Sequence, residues 1–397
     1  MRKDDPRVHF SRSEFGPSRE LVAIRDTDGI SAVNIPGIEP MWFVTRFTDV
    51  REVLGDHKRF RIVSGEELGQ AGPSLDEEQR RILRAGNLLA FDPPEHTRLR
   101  RVVGPAFTAG RIKGMEPRIR RIVDEQLDAM ARSGPPVDLV RSFATSVPAL
   151  VICEILGVPV TDRTFLQEQV DRMLDIAVAP AERMAAEQAI RAYMFDCVDR
   201  MSQAPGDGLL PALIRQQNGE RLSREELAGL GHLLMVAGNE STASMLALGT
   251  LALMRHRDEL ELLQEQPRFT EAAVEELLRW LTVVHITAPR RTTEDVEIAG
   301  QHIPSGSLVM CSLPAANRDK ALIDDPDRLD LSRGEAGHIA FGHGIHHCLG
   351  APLARLELRV ALPRLLQRFP GLRATDDEAR FRTTNIVYGL TSLEVTW

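Results

Sequence analysis

The sequence predicts a mainly α fold with small β-sheets, and three features lead to it. Apolar residues recur at steps of three and four from about residue 93 to residue 281, the mark of amphipathic helices. One helical pattern, Leu222 to His256, is unusually long and opens on the capping box Ser223-x-x-Glu226. Strand-like runs are few and short, and they sit at the edges of the helical block.

In chain order, MWFVTRF (41–47) is the first strand. A helix follows in which Met115, Ile119, Ile122, Val123, Leu127 and Met130 form one apolar face, ended by Ser133-Gly134-Pro135-Pro136. Segments near 139–157, 161–176 and 181–202 are further helices, each closed by Gly, Pro or small polar residues. The long pattern after them, at about 30 residues, spans roughly 45 Å, enough to cross the whole chain fold. DVEIAG (295–300), SLVMCSL (307–313) and SLEVTW (392–397) read as strands, the first two separated by the Pro304-Ser305-Gly306 turn. Residues 318–337 read as a long irregular connection, a kind of segment that usually serves function. With no repeat, linker or charge block, residues 1–397 are expected to form a single domain.

The 397 residues are 43% hydrophobic and 27% charged, which excludes a disordered or low-complexity chain. A net charge of −8 argues against nucleic-acid binding carried by bulk charge. The N-terminal stretch MRKDDPRVHFSRSEF has no apolar run fit for a signal or anchor. Glu154 interrupts the apolar segment Val147 to Val160, and His232, Asn239 and Glu240 interrupt Leu227 to Leu248, so no membrane span is expected. Cys153, Cys197, Cys311 and Cys348 are scattered without a C-x-x-C pair, which suggests reduced thiols and a cytoplasmic location.

The most informative segment is Phe341-Gly342-His343-Gly344-Ile345-His346-His347-Cys348-Leu349-Gly350. Its glycines permit left-handed turns, and Cys348 immediately precedes the amphipathic run LGAPLARLELRVALPRLL. The sulfur is therefore expected near a helix N-terminus, where the dipole and free N–H groups favour a thiolate able to ligate iron. Two other readings stand beside this one: a buried free cysteine next to a turn, and a zinc site using His343, His346, His347 and Cys348, against which the adjacency of His346 and His347 counts.

The segment resembles the cysteine signature of the cytochrome P450 family, F-G-x-G-x-H-x-C-x-G, at every fixed position. Glu276-Leu277-Leu278-Arg279 resembles the family's E-x-x-R helix pair, and His96-Thr97-Arg98-Leu99-Arg100 its H-x-x-x-R. The resemblance implies the cytochrome P450 fold, with a long central helix over a haem b (iron protoporphyrin IX). It further implies Cys348 as the metal ligand, His96, Arg100, Arg290 and His346 as propionate contacts, and Ala237, Phe341 and Gly350 as other haem contacts. Arg291 is the less favoured alternative to Arg290.

Within the long helix, Ala237-Gly238-Asn239-Glu240-Ser241-Thr242 resembles the family's A-G-x-[DE]-T-T. Gly238 in a helix interior costs ~1 kcal/mol against Ala, and Glu240 breaks an apolar run, so a local rule is broken twice at one place. The resemblance makes Glu240, Ser241 and Thr242 the catalytic set for proton delivery to O2. Ser241 departs from the usual threonine and loses the methyl that restrains χ1. Both hydroxyls could instead bond back to carbonyls one turn earlier.

The function so implied is a bacterial-type monooxygenase that inserts one oxygen atom from O2 into a small, largely apolar organic substrate, with electrons from a ferredoxin and ferredoxin reductase. By position, Leu88, Leu89, Leu233, Val236, Ala237, Ile286, Ala288, Ile386 and Val387 would line the substrate site. The alternatives are a peroxide-using or non-hydroxylating enzyme (coupling, desaturating or ring-forming), a haem-based sensor or carrier, and a zinc-stabilised regulator. Arg98, Arg101, Arg355 and Arg359 are candidates for a basic ferredoxin-docking patch, unless they are surface arginines paired with Glu95 and Glu357.

Overall fold

The computed structural model describes residues 6–34, 39–63, 76–204, 206–216, 221–334, 337–375 and 379–397. The long helix runs unbroken over Arg224–Arg255, and both halves of its capping box form: Ser223 accepts from the Glu226 N–H, and the Glu226 carboxylate accepts from the Ser223 N–H. It is buried almost all round from Leu227 to Leu253, because the helices Ser146–Leu156, Pro180–Gln203 and Ala351–Arg368 pack on it. A helix so enclosed carries apolar residues on every face, and this explains the unbroken apolar texture of its sequence.

The expected helix after Met115 is Glu116–Ser133, with Ile119, Ile122, Val123, Leu127 and Met130 buried as the spacing predicts. The 139–157 segment differs from expectation: a π-helical turn, Val140–Ala144, precedes the α-helix Ser146–Leu156. Asp138 accounts for the irregular start, since its carboxylate accepts from the N–H groups of Val140 and Leu393 and ties the turn to the C-terminal strands. The helices Arg163–Leu174 and Pro180–Gln203 lie where expected. Among the described residues, no helix is long and apolar enough to cross a membrane.

The main sheet has five strands in the order Ile30–Val33, Met41–Val44, Leu308–Cys311, Arg290–Thr292, Phe60–Ile62. Met41–Val44 and Leu308–Cys311 pair in parallel, and the other pairs are antiparallel. The strands expected at 41–47 and 307–313 stop short because Phe47 and Leu313 each begin a helix. Val296–Ile298 pairs with Gln301–Ile303 as a hairpin, and Glu394–Thr396 joins Val137–Asp138 and Arg373–Ala374.

The irregular segment from residue 318 is held by two side chains of the helix Thr270–Leu281. Glu276 and Arg279 are fully buried and paired, with Arg279 Nε 2.7 Å from Glu276 Oε2. The remaining Arg279 donors reach the carbonyls of Asn317 and Pro326, each at 2.9 Å. Glu276 Oε1 accepts from the Asp330 N–H at 3.2 Å. The E-x-x-R pair is thus a clamp whose charges bond backbone that has no ladder partner.

Candidate functional site

The loop Phe341–Gly350 turns twice through left-handed glycines, Gly342 and Gly344, with φ of 73° and 72°. Gly344 also sits against the helix Phe47–Gly55: a Cβ there would lie 2.3 Å from the Leu54 carbonyl oxygen. The Cys348 N–H donates to the Phe341 carbonyl at 2.9 Å, closing the loop just before the helix Ala351–Arg368. Arg355 from the first turns of that helix stacks over the Phe341 ring, 4.6 Å from its centroid. Phe341 and Arg355 thereby brace the loop from outside the cysteine.

Cys348 is exposed, whereas Cys153, Cys197 and Cys311 are buried. Its sulfur is nonetheless deep enough in the protein for burial to raise the thiol pKa, against the pull of the Gly350 N–H, the Arg100 charge, the Ala351 N–H and the Arg355 charge. The Gly350 and Ala351 N–H groups are the helix N-terminal donors expected from the sequence, and the two arginine charges add to them. Cys311 has no such set, and burial pushes its thiol up to about 12.

His96 and Arg100, one turn apart on the helix Glu95–Val103, come to the same place. The His96 and His346 rings lie 4.4 Å apart between centroids. Burial, then the neighbouring His346 and Arg100, lowers the His96 pKa to about 4. Arg290 reaches the cluster from the main sheet, 2% exposed, with one hydrogen bond, to the Phe60 carbonyl at 3.0 Å. Its Nε, His96 Nε2 and both ring nitrogens of His346 are buried without a hydrogen-bond partner. Arg100 and Arg290 make no ion pair among the described residues. Arg291, by contrast, turns outward to Glu39 and the Gly306 carbonyl. Arg100 and Arg290 are cations that no carboxylate pairs among the described residues, and such charges are costly away from water, so this set has the chemistry to receive an anionic group.

Asp92 is a member of this cluster that spacing alone did not reveal. Its Oδ2 accepts from the Ile62 N–H at 2.7 Å and its Oδ1 lies 3.5 Å from His346 Nε2. The only sequence signal was its place in Asp92-Pro93-Pro94-Glu95, ahead of the helix.

On the long helix, Ala237 is exposed, with Leu233, Val236 and Ser241 partly exposed on the same side. Gly238 has a packing reason, since a Cβ there would lie 3.0 Å from Ile152 Cδ1. Ser241 donates back to the Ala237 carbonyl at 3.1 Å, and Thr242 is buried. Glu240 is buried and bonded to Arg382, with Gln167 Nε2 at 3.4 Å; burial, the largest influence, raises its pKa. Arg382 was invisible in sequence, an arginine in the short strand Arg380–Arg382.

Of the apolar candidates, Leu88, Leu233, Val236 and Val387 share one core cluster, while Ile286 packs with Val33, Met41, Phe43 and Leu308. Bridges of Val284 with Val387 and of Ile286 with Ser312 set those segments side by side. Ile386 is tied by its N–H to the Leu174 carbonyl, and Leu89 and Ala288 are exposed.

The proposed docking arginines need correction. Arg98 pairs with Glu95 and Glu226. Arg355 makes a two-point pair with Glu275, at 2.7 and 2.8 Å, and Arg359 pairs with Glu271 at 3.1 Å. Glu357 is not their partner: it is fully buried, with Oε2 unbonded. Only Arg101 of the four is exposed and makes no ion pair among the described residues.

A single exposed thiol beside helix N-terminal N–H groups, with four cationic or imidazole donors grouped to one side, fits a haem and its two propionates. Among the described residues no three His, Cys, Asp or Glu side chains converge on a metal position, so the zinc arrangement finds no support there.

Residues 183–392 match the family model for Cytochrome P450. The chain is 42% identical to "Cytochrome P450 FAS1" of Rhodococcoides fascians, with 98% of each chain covered. It is 43% identical to "Mycinamicin IV hydroxylase/epoxidase" of Micromonospora griseorubida, over 94% of each. Among solved structures, P450 StaH from glycopeptide antibiotic A47934 biosynthesis superposes with a TM-score of 0.85 at 42% identity, covering 98% of this chain and 99% of that one.

Proposed function

The chain belongs to the cytochrome P450 family, and from that premise we propose that it is a monooxygenase whose haem is ligated by Cys348 and oriented by His96, Arg100, Arg290 and His346. The observation that carries this reading is the group of buried, unpartnered donors set to one side of an exposed cysteine. A bound haem supplies a thiolate-ligated iron, the chemistry of dioxygen activation. The protein does the rest. The Gly350 and Ala351 N–H groups hold negative charge on the Cys348 sulfur, and Phe341, with Arg355 stacked on it, braces the loop.

Glu240 lies close to the reacting face of the long helix, where burial raises its carboxyl pKa against the pull of Arg382, and it is the group that takes up and hands on a proton. Ser241 and Thr242 are the hydroxyls through which that proton passes. Leu233, Val236 and Val387, partly exposed in one cluster, with the exposed Ala237 and the partly exposed Ile386, present an apolar surface suited to a small apolar substrate, and Ile286, Ala288, Leu89 and the buried Leu88 are the further candidates for its lining.

Electrons would come from an acidic ferredoxin with its reductase. With Arg98, Arg355 and Arg359 engaged, the support for this shifts to Arg101 and Arg111, which rim a groove of about 690 Å³ floored by Val102, Met115 and Leu209, while Arg118 on the same rim is paired with Glu154 at 3.2 Å. Such a rim steers an acidic partner even on a chain of net charge −8.

The test is spectroscopic. The reduced protein with carbon monoxide should show the strongly red-shifted Soret band of thiolate ligation, and Cys348→Ser should lose it. An unchanged spectrum in that variant overturns the assignment. A second reading, oxidation without oxygen insertion, is favoured by Ser241 already bonding to Ala237. Products formed under isotopically labelled O2 decide between them, since only a monooxygenase incorporates the label.

A further inference from the structure

Two segments, residues 283–288 and 385–388, carry Ile286, Ala288, Ile386 and Val387, and both are held from behind by the N-terminal part of the chain. Each is extended, so neighbouring side chains face opposite ways. In the first, Val284 and Ile286 form bridges with Val387 and Ser312, while His285 between them is 1% exposed. In the second, Val387 is partly exposed and Tyr388, next to it, is buried. The His285 and Tyr388 rings meet edge to face, 5.7 Å between centroids, and the Tyr388 N–H donates to the Val283 carbonyl at 2.7 Å. At this end the two segments are one piece.

Behind them lies Arg12. Its Nε donates to His285 Nδ1 at 3.2 Å, its Nη1 to the Leu281 carbonyl at 3.1 Å and its Nη2 to the Thr282 carbonyl, and the guanidinium lies 5.0 Å from the centroid of the Tyr388 ring. The Tyr388 hydroxyl donates in return to the Glu14 carbonyl at 3.0 Å. No carboxylate pairs with Arg12 among the described residues, and burial lowers its pKa to about 10. Burial, then the Arg12 charge, keeps His285 neutral, so its Nδ1 can accept. Thr282, where the first segment begins, is left-handed with φ of 38°, a conformation that a β-branched residue keeps only where its surroundings impose it.

The N-terminal turn is itself anchored: the Ser13 N–H donates to the Gly16 carbonyl at 3.0 Å, and the Phe15 ring lies 5.2 Å from that of Trp280. Gly389, one residue beyond Tyr388 and so on the other face, abuts the long helix, where a Cβ would run into the Ser244 side chain. The second segment is therefore stopped by the long helix on one side and by Arg12 on the other.

We propose that Arg12 is a positioning residue that sets how far Val284, Ile386 and Val387 stand into the substrate site, and thereby which substrates fit. This rests on the reading of Ile386 and Val387 as substrate lining. One planar guanidinium fixes the backbone where the first segment starts and the ring where the second ends. Its loss lets both retract together, away from the long helix, which reduces apolar contact with a substrate and leaves the cysteine loop untouched.

The experiment uses two azoles on the full-length haem-loaded protein, each read by the Soret shift that its nitrogen causes on binding iron. Imidazole is too small to press on the walls, whereas 4-phenylimidazole carries an apolar ring that must lie against them. Arg12→Met should weaken 4-phenylimidazole by about fourfold or more, the equivalent of one CH2 of lost contact, and leave imidazole within about twofold. Arg12→Lys, which keeps a cation near Tyr388, should recover part of the loss. His285→Phe, which removes the acceptor of Arg12 Nε, should shift the ratio of the two affinities in the same direction, and it decides the matter where Arg12→Met does not hold haem. A merely structural Arg12 would lower the melting temperature while leaving that ratio unchanged, or would weaken both azoles alike, and either result overturns the proposal. Val387→Phe should weaken 4-phenylimidazole alone; no effect there shows the lining reading itself to be at fault, and with it the role of Arg12. A failure of the haem-thiolate reading shows separately, as a missing thiolate spectrum in the wild type.

Discussion

Removal of Arg279 should be among the most damaging single changes in this protein. Its guanidinium is fully buried, bonded to both oxygens of an equally buried Glu276 and to the carbonyls of Asn317 and Pro326. Arg279→Leu strands a buried carboxylate, which costs about 3–5 kcal/mol, and it orphans two carbonyls at a further cost of about 1 kcal/mol or more each. Glu276→Leu strands the cation instead and frees the Asp330 N–H. In the double variant both charges of the pair are gone, leaving the backbone groups unbonded and Arg333, whose Nε lies 3.6 Å from Glu276, without that neighbour. The double variant should therefore be less destabilised than the sum of the singles by at least about 2 kcal/mol. Urea unfolding followed by circular dichroism on all four proteins measures this directly, and haem retention on a sizing column reports whether the 318–337 segment still seats the cysteine loop. Additive losses, or a loss under about 1 kcal/mol for Arg279→Leu, would refute the argument that the pair acts as one buried clamp.

Other outcomes follow from single sites. Glu275 is raised by burial but more strongly lowered by His338 and Arg355, to about 2. A carboxylate depressed from 4.5 contributes stability at neutral pH that is lost as pH falls from about 5 towards 2, on the order of 3 kcal/mol, so Glu275→Gln should flatten the acid limb of a thermal-melt profile. Gly344→Ala forces a left-handed residue and a Cβ 2.3 Å from a backbone oxygen, and should cost at least about 2 kcal/mol, more than Gly342→Ala, whose nearest atom is 4.0 Å away; equal melting shifts would count against this. Arg101→Glu should raise the apparent KM for an acidic ferredoxin and flatten its salt dependence. Arg355→Glu, which breaks the pair with Glu275, should instead lower the melting temperature.

Much of this protein is legible in its sequence because the deciding interactions are local. The long helix follows from apolar spacing and a capping box whose two hydrogen bonds lie within four residues. The cysteine loop follows from glycines that must turn left-handed and a cysteine placed just before a helix. His96 and Arg100 share a face because four residues make about one turn. Tertiary structure decided what pairs over distance. Strands Ile30–Val33, Phe60–Ile62 and Arg290–Thr292 are too short to signal themselves and exist because neighbours complete their ladders. The Arg98–Glu95 pair is local and legible in sequence, but Glu226, Glu275 and Glu271, from other helices, complete the pairing of Arg98, Arg355 and Arg359. Arg382 gives no pattern at all in its strand, and it becomes the counter-charge of Glu240, 142 residues away, only because packing brings the two together in a place water does not reach.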